Sequence, residues 1–357
     1  MNWFTIVTAF LTSLAVAGVT IRPAIALAER FQLVDRPGRH KRHNRPIPYV
    51  GGVVLFVAMW LAVAISLLIF PDALRELKPS LPFVFSGALI IFLAGFADDL
   101  VSLSAWTKLV AQAAAGLVLY LGGLAIHPVT IPFMGSHEIG SLSVVITIAW
   151  VVMLTNAINL IDGLDGLAAG VSLIAAVTLA AIGTLYTAGS AVLFAYALVG
   201  FLAGFLRYNR YPARIFLGDS GSLQIGYYFA VISLLVPIKS YTAAALYLPM
   251  LALGVPLMET VISFSRRLVS GRNVMKADRR HLFHYLSLAG LSPRAVVWIF
   301  YLLSAVFGAF AMAMYFLNRL IVFGLLVLFM VVISGLFLIF MARLSRPGRG
   351  RRATKAE

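Results

Sequence analysis

Asp98 and Asp99 in AGFADDL, Asp162 and Asp165 in NLIDGLDG and Asp219 in FLGDSGS each terminate or directly follow an apolar run. A carboxylate is costly beside hydrocarbon, so one kept there reads as functional. Helix capping is the alternative for any single acid, most plainly Asp219, which precedes SGSLQIGYY and could accept N–H bonds at the positive end of a helix. Capping explains Asp98 and Asp99 poorly, because adjacent carboxylates repel unless a cation stabilises them or a pKa rises. Clustered carboxylates without thiolates suit Mg²⁺ or Mn²⁺, which proteins commonly hold with one or two carboxylates plus substrate phosphates. Phosphate chemistry is therefore the leading expectation. Gly163, Gly166, Gly218 and Gly221 flank the acids and would let backbone amides approach phosphate oxygens. Positive charge is available from RPGRHKRHNR at 36–45, from Lys108 and from the loop at 266–284, where His281 and His284 could face one ligand on a helical turn.

The elements that must hold these acids follow from composition. The 357 residues are 61% hydrophobic and 11% charged, with mean hydropathy +0.97. Such a chain is an integral membrane protein with no room for a second soluble domain. Apolar stretches long enough to span about 30 Å of hydrocarbon recur along it. They predict an all-α polytopic protein of eleven helices, at roughly 3–27, 48–70, 81–97, 107–126, 141–160, 166–186, 189–206, 221–237, 241–264, 294–317 and 319–342. The first has no basic stretch before it and reads as a retained helix rather than a cleaved signal. Residues 1–343 form one membrane domain and 344–357 a basic disordered tail near the membrane surface. Cysteine is absent, which excludes disulfides and thiolate metal sites.

The net charge of +15 would imply nucleic acid in a soluble protein. Here the bases sit beside helix ends. Arg75, Lys78, Lys239 and Arg319 fall in the loops of one side and Arg22 within the first helix; all the other Lys and Arg fall on the opposite side. The positive-inside rule then places the amino terminus outside and the carboxyl terminus inside. Asp98, Asp99, Asp162, Asp165, Asp219 and Asp278 all share the inner face with those bases, while His127 and His137 lie outside and carry no assignment.

The motifs Asp98-Asp99, Asn156-x-x-Asn159-x-x-Asp162-Gly163-x-Asp165-Gly166, Asn209 followed by Phe216-Leu-Gly-Asp219-x-Gly221-Ser222, and the His281 loop resemble, in order and placement, the polyprenyl-phosphate N-acetylhexosamine-1-phosphate transferases, glycosyltransferase family 4. The resemblance spans almost the whole chain, and LVDRPGRHKRHNRPIPYVGG is similar to the branch that transfers N-acetylglucosamine 1-phosphate. It implies transfer from a UDP-sugar to undecaprenyl phosphate at the cytoplasmic face of a bacterial inner membrane, giving undecaprenyl-diphosphate-sugar and UMP, with Mg²⁺ and a homodimeric assembly. By the same carry-over Asp219 is the metal ligand with Asp99 in support, and Asp98 is the candidate base on the lipid phosphate. Asp162, Asp165 and Asn159 position nucleotide and metal, Asn209 and Phe216 hold the uracil, Lys108 meets phosphates, and His281 and His284 contact the diphosphate or sugar. Two departures stand out. The family's His-x-His-His is here His281-Leu282-Phe283-His284, and Glu259 replaces a common Asp, about 10 Å along its helix from Arg266 at 1.5 Å per residue.

Phospho-N-acetylmuramoyl-pentapeptide transfer is the alternative within this family. A transporter would gather its substrate groups near the bilayer midplane on broken helices, whereas these acids collect at one face. A CDP-alcohol phosphotransferase would follow DGLDG with Ala-Arg and two further spaced Asp, and LAAGVSLIAA has none.

Overall fold

The computed structural model describes residues 3–37, 45–72, 75, 78–127, 129–131, 135–137, 139–186, 189–235, 244–269 and 281–344. Most of the basic run at 36–45, residues 270–280 with Asp278, Lys239 and the tail from 345 onward, all singled out above, lie outside the described residues.

The described residues are mostly helical: α1 (Trp3–Arg30), α2 (Gly51–Ile69), α3 (Leu81–Val101), α4 (Ala105–Leu121), α5 (Leu142–Ile161), α6 (Leu167–Leu185), α7 (Gly189–Asn209) and α8 (Gly218–Leu235) are followed by α9 (Ala244–Ala252), α10 (Gly254–Val269), the short α11 (Leu282–Leu288), α12 (Pro293–Phe316) and α13 (Arg319–Leu344). Among the described residues seven of these, α1, α2, α3, α5, α6, α7 and α12, are long and apolar enough to cross a membrane. The ninth expected helix is broken into α9 and α10 at Leu253. Pro256 has no N–H to return to the carbonyl of Ala252, and Pro249 removes a second bond about two turns earlier. Two small antiparallel hairpins interrupt the all-helical expectation. β1 (Val34–Asp35) pairs with β2 (Ile47–Pro48), and β3 (Val129–Ile131) pairs with β4 (Gly135–His137).

α8 is the axis of the bundle. Every residue from Ser220 to Ser233 is buried, and the helix packs against α2, α3, α5 and α7. A helix apolar on all sides belongs in such a place. Several of its polar groups find partners there: Tyr227 Oη donates to Val84 O at 2.8 Å, Trp150 Nε1 to Ser233 Oγ at 2.7 Å, and Gln224 Nε2 to Gly52 O at 3.0 Å. In lipid each such bond contributes only about 0.6 kcal/mol on average, and close packing of small residues does most of the work. Large apolar side chains remain exposed on the outer helices, among them Trp3, Val19, Val110, Trp298 and Leu302. That surface suits hydrocarbon rather than water.

The amino-terminal end of α8 is gripped by glycines of two neighbours. Gly51 and Gly52, at the start of α2, donate to the carbonyls of Phe216 and Leu217, both at 3.0 Å. Gly95 of α3 lies so near that a Cβ there would sit 2.5 Å from Ser220 Cα. Gly95→Ala should therefore destabilise the protein by about 1–3 kcal/mol, overpacking outweighing its gain in helix propensity. Gly18→Ala, whose Cβ would meet nothing within 4 Å, is the matched control. A lower melting temperature for the first and an unchanged or slightly raised one for the second, measured in detergent, is the expected pair of results.

Candidate active site

Asp98 and Asp99 lie in the last turn of α3, which runs four residues further than the sequence pattern predicts. Successive side chains on a helix diverge by about 100°, and the two acids use that angle to reach different partners. Asp98 Oδ2 accepts from Lys108 Nζ at 3.0 Å, and its Oδ1 from the Leu103 N–H at 2.5 Å. The tight corner makes this possible: Ser102 adopts left-handed φ of 54°, and Ser104 caps α4 by accepting from the Thr107 N–H at 3.1 Å. Asp99 instead accepts the N–H groups of Asp219 at 2.7 Å and Ser220 at 3.1 Å, one on each oxygen. Its charge thus meets the unsatisfied amides and positive dipole end of α8. The repulsion expected between neighbouring carboxylates is relieved by a lysine and a helix terminus.

Asp219, in the first turn of α8, completes the group. Its Oδ2 accepts from Lys108 Nζ at 2.9 Å and its Oδ1 from Asn159 Nδ2 at 3.1 Å. Asn159 also donates to Ser222 Oγ at 3.0 Å, and Asn156, one turn earlier on α5, donates to Gln112 Oε1 at 2.6 Å. Lys108 therefore links α3, α4 and α8 through two half-buried ion pairs.

The DGLDG turn joins α5 to α6. Gly166 sits at φ +77°, and its N–H donates to Asn209 Oδ1 at 3.1 Å while its carbonyl accepts from Tyr301 Oη at 2.6 Å. Asn209 Nδ2 donates to Ile215 O at 2.8 Å, and Asp165 Oδ2 accepts from the Ala213 N–H at 2.9 Å. Asp165 and Asn209, expected to bind substrate, thus also tie the turn to the loop at 210–217.

These parts enclose a cavity of about 770 Å³ lined by Asp35, Tyr49, Asp99, Asp162, Gly163, Leu164, Asp165, Asn209, Tyr211, Phe216, Gly218, Asp219, Phe283, His284 and Pro293. The volume is that of a pocket for a sizeable small molecule. Asp98, Lys108 and Asn159 do not line it but stand behind Asp219. His281 does not line it either. It precedes α11 in extended backbone and its Nδ1 lies 3.1 Å from Glu259 Oε1, so the two histidines do not face one ligand together. Glu259 also accepts the Leu282 N–H at 3.0 Å, a partner found across the fold rather than along its own helix, while Arg266 lies over the Tyr285 ring. The flanking glycines serve turns and close packing: Gly218 has φ +71° against Asp99, and Gly221 lies against Gly52. Asp35, Tyr49 and Tyr301 were not among the expected site residues. Asp35 and Tyr49 lie within the basic stretch at 33–52 with no spacing to the other acids, and each of the three arrives from a distant element.

Five carboxylates line one cavity, and their mutual repulsion shows at Asp162. Burial first, then the charges of Asp219, Asp99 and Asp165, push its pKa up to about 8. Burial, followed by Asp99 and Asp35, also raises Tyr49. Among the described residues no group of three or more His, Cys, Asp or Glu is poised to hold a metal by itself. Asp98 Oδ2 and Asp219 Oδ2 nevertheless converge on one cationic nitrogen. Asp219 stands at the cavity wall, where its carboxylate with substrate phosphates would suit a hard divalent ion, while Asp98 stays behind it on the shared lysine. Asp99, expected as a second ligand, has both oxygens engaged by α8.

A family model described as glycosyl transferase family 4 matches residues 81–237. A probable undecaprenyl-phosphate N-acetylglucosaminyl 1-phosphate transferase of Bacillus subtilis is 34% identical over 336 residues, covering 92% of this chain and 91% of that one. A decaprenyl-phosphate N-acetylglucosaminephosphotransferase of Mycobacterium tuberculosis is 34% identical over 316 residues, covering 82% and 78%. A phospho-N-acetylmuramoyl-pentapeptide-transferase of Desulfitobacterium hafniense is 31% identical over 331 residues, covering 84% and 93%.

The raised Asp162 gives a sign to the pH dependence of stability. Its pKa is about 8 when folded against about 3.9 unfolded, so its contribution is full below the unfolded value and is lost as pH rises towards the folded one. In metal-free buffer the melting temperature should fall between about pH 5 and pH 8, and Asp162→Asn should fall less steeply. Equal slopes would show that the Asp162 environment does not favour the proton.

Proposed function

The chain belongs to the polyprenyl-phosphate hexosamine-1-phosphate transferases of glycosyl transferase family 4, and on that premise we propose that it transfers N-acetylglucosamine 1-phosphate from UDP-N-acetylglucosamine to undecaprenyl phosphate. The products are undecaprenyl-diphosphate-N-acetylglucosamine and UMP. The observation that carries the reading is the five-carboxylate cavity beside a Lys108 shared by Asp98 and Asp219. Such a wall would repel a nucleoside diphosphate unless a cation intervened, and the donor set at Asp219 suits Mg²⁺ or Mn²⁺. When bound, that ion neutralises charge building on the departing UMP.

The chain's own residues supply the rest. Lys108, behind the cavity wall, offsets the charges of Asp98 and Asp219. Asn159 fixes the Asp219 carboxylate, and Phe216 with the 210–217 loop gives the uracil an aromatic and backbone surface. An oxygen of the lipid phosphate attacks the β-phosphorus, the bond to the bridging oxygen breaks, and UMP leaves with its electron pair. A phosphate monoester with second pKa near ~6 is already largely dianionic at neutral pH, so no base is required. Asp98, set back from the cavity and bound to Lys108, supports direct displacement over an aspartyl intermediate. Asp162 and Asp165 border the nucleotide side, and His284 the sugar-phosphate side.

The topology in this proposal has eleven spans, α9 and α10 together making the ninth, with the amino terminus outside and the site at the cytoplasmic face of the inner membrane. The distribution of Lys and Arg supports it. Homodimeric assembly rests on family resemblance alone. Relatives named as phospho-N-acetylmuramoyl-pentapeptide transferases make that donor the second candidate, to be assayed beside UDP-N-acetylglucosamine. Asp219→Asn should lower Mg²⁺-dependent UMP release by about 10³-fold or more, on the scale of removing a principal electrostatic group. Near-normal turnover would take Asp219 out of the cation site.

A further inference from the structure

Phe283 is 2% exposed, yet an edge of its ring reaches the cavity wall. One face lies parallel to His281, with centroids 5.5 Å apart and planes at 11°, and His284 lies 4.3 Å away at 32°. The far end of the ring meets Gly163. A Cβ at Gly163 would overlap Phe283 Cζ and stand 2.9 Å from Cε2. Gly163 is not among the glycines of positive φ, so its backbone would accept alanine and the ring alone excludes it. The other end of the segment is fixed independently by Glu259, which accepts the Leu282 N–H and pairs with His281.

We infer that Phe283 is a positioning residue, an aromatic clamp that locks the His281–His284 segment onto the DGLDG turn and so fixes where His284 stands in the cavity that Asp162 also lines. Two walls of the cavity come from elements more than a hundred residues apart, and this ring is where they touch. Glu259 fixes where the histidine segment begins, and Phe283 fixes how far it leans over the turn. An aromatic ring suits the task because it fills the gap left by a missing Cβ with a rigid plane of only two torsions, and stacking with imidazoles adds about 0.5–1.5 kcal/mol beyond burial. The clamp follows from geometry; its kinetic consequence rests on the transferase reading, in which His284 and Asp162 border the donor.

The test is a reciprocal pair of substitutions in the full chain, assayed in detergent for UMP release with UDP-N-acetylglucosamine and undecaprenyl phosphate varied in turn. Gly163→Ala should raise KM for the UDP-sugar about tenfold with little change in kcat or in KM for the lipid, since small misplacements in a site have effects of that order or larger. Adding Phe283→Leu should bring that KM back to within about threefold of wild type, the non-additivity expected of residues in contact. Loss of folded protein would lower apparent kcat and leave KM alone. A wild-type KM in Gly163→Ala, or a double variant no better than the single, overturns the clamp. Should Gly163→Ala not be recovered folded, Phe283→Leu alone must raise the donor KM, and an unchanged value overturns the clamp equally. Melting temperatures separate the two readings: a wild type that releases no UMP refutes the transferase, while the clamp still requires Gly163→Ala to melt lower and the double variant to recover.

Discussion

The capture of the first turn of α8 by Asp99 is the constraint on which the site depends. Two backbone N–H groups, of Asp219 and Ser220, end on one carboxylate from α3. The helix terminus would otherwise be buried with unsatisfied donors, and the acid would be buried without a positive partner. Each resolves the other's cost. Gly51, Gly52 and Gly95 let three backbones approach closely enough for the bond to form, and the direction of the Asp219 side chain follows from where α8 is forced to begin.

From that start the charges are distributed by helix geometry. Asp98, one residue earlier on α3, is turned away from α8 and onto Lys108, which also holds Asp219. One lysine is shared by two acids while Asp162, Asp165 and Asp35 line the same cavity. The residual negative charge, which adds to burial in raising the pKa of Asp162, suits the cavity to the cation and the phosphates proposed for it. The opposite wall, carrying Phe283 and His284, contributes shape and an imidazole.

The all-helical class and the identities of the acids were legible in the sequence, because apolar runs of membrane length and acids at their ends are strong local signals. The seven long apolar helices and the convergence of Asp99, Asp162, Asp165 and Asp219 on one cavity follow that pattern. What was illegible depends on contacts between distant elements. Asp98 and Asp99 read as one unit until the angle between successive side chains separated them. Glu259 could be placed only relative to Arg266 on its own helix, whereas its partner His281 comes from a segment 22 residues on. Gly163 read as a phosphate-approach glycine, and only the packed ring of Phe283 explains its missing side chain. Pro249 and Pro256 were in view, but a single apolar run concealed the break between α9 and α10.

The claim at the centre is that a phosphosugar, not a sugar, leaves the nucleotide. It is tested most directly by incubating the purified chain with Mg²⁺, undecaprenyl phosphate and UDP-N-acetylglucosamine labelled at the β-phosphate, and following the label. The account predicts that the label moves into the lipid fraction as a diphosphate-linked sugar while unlabelled UMP is released. Label retained in released UDP, with a lipid carrying sugar but no second phosphate, would contradict it.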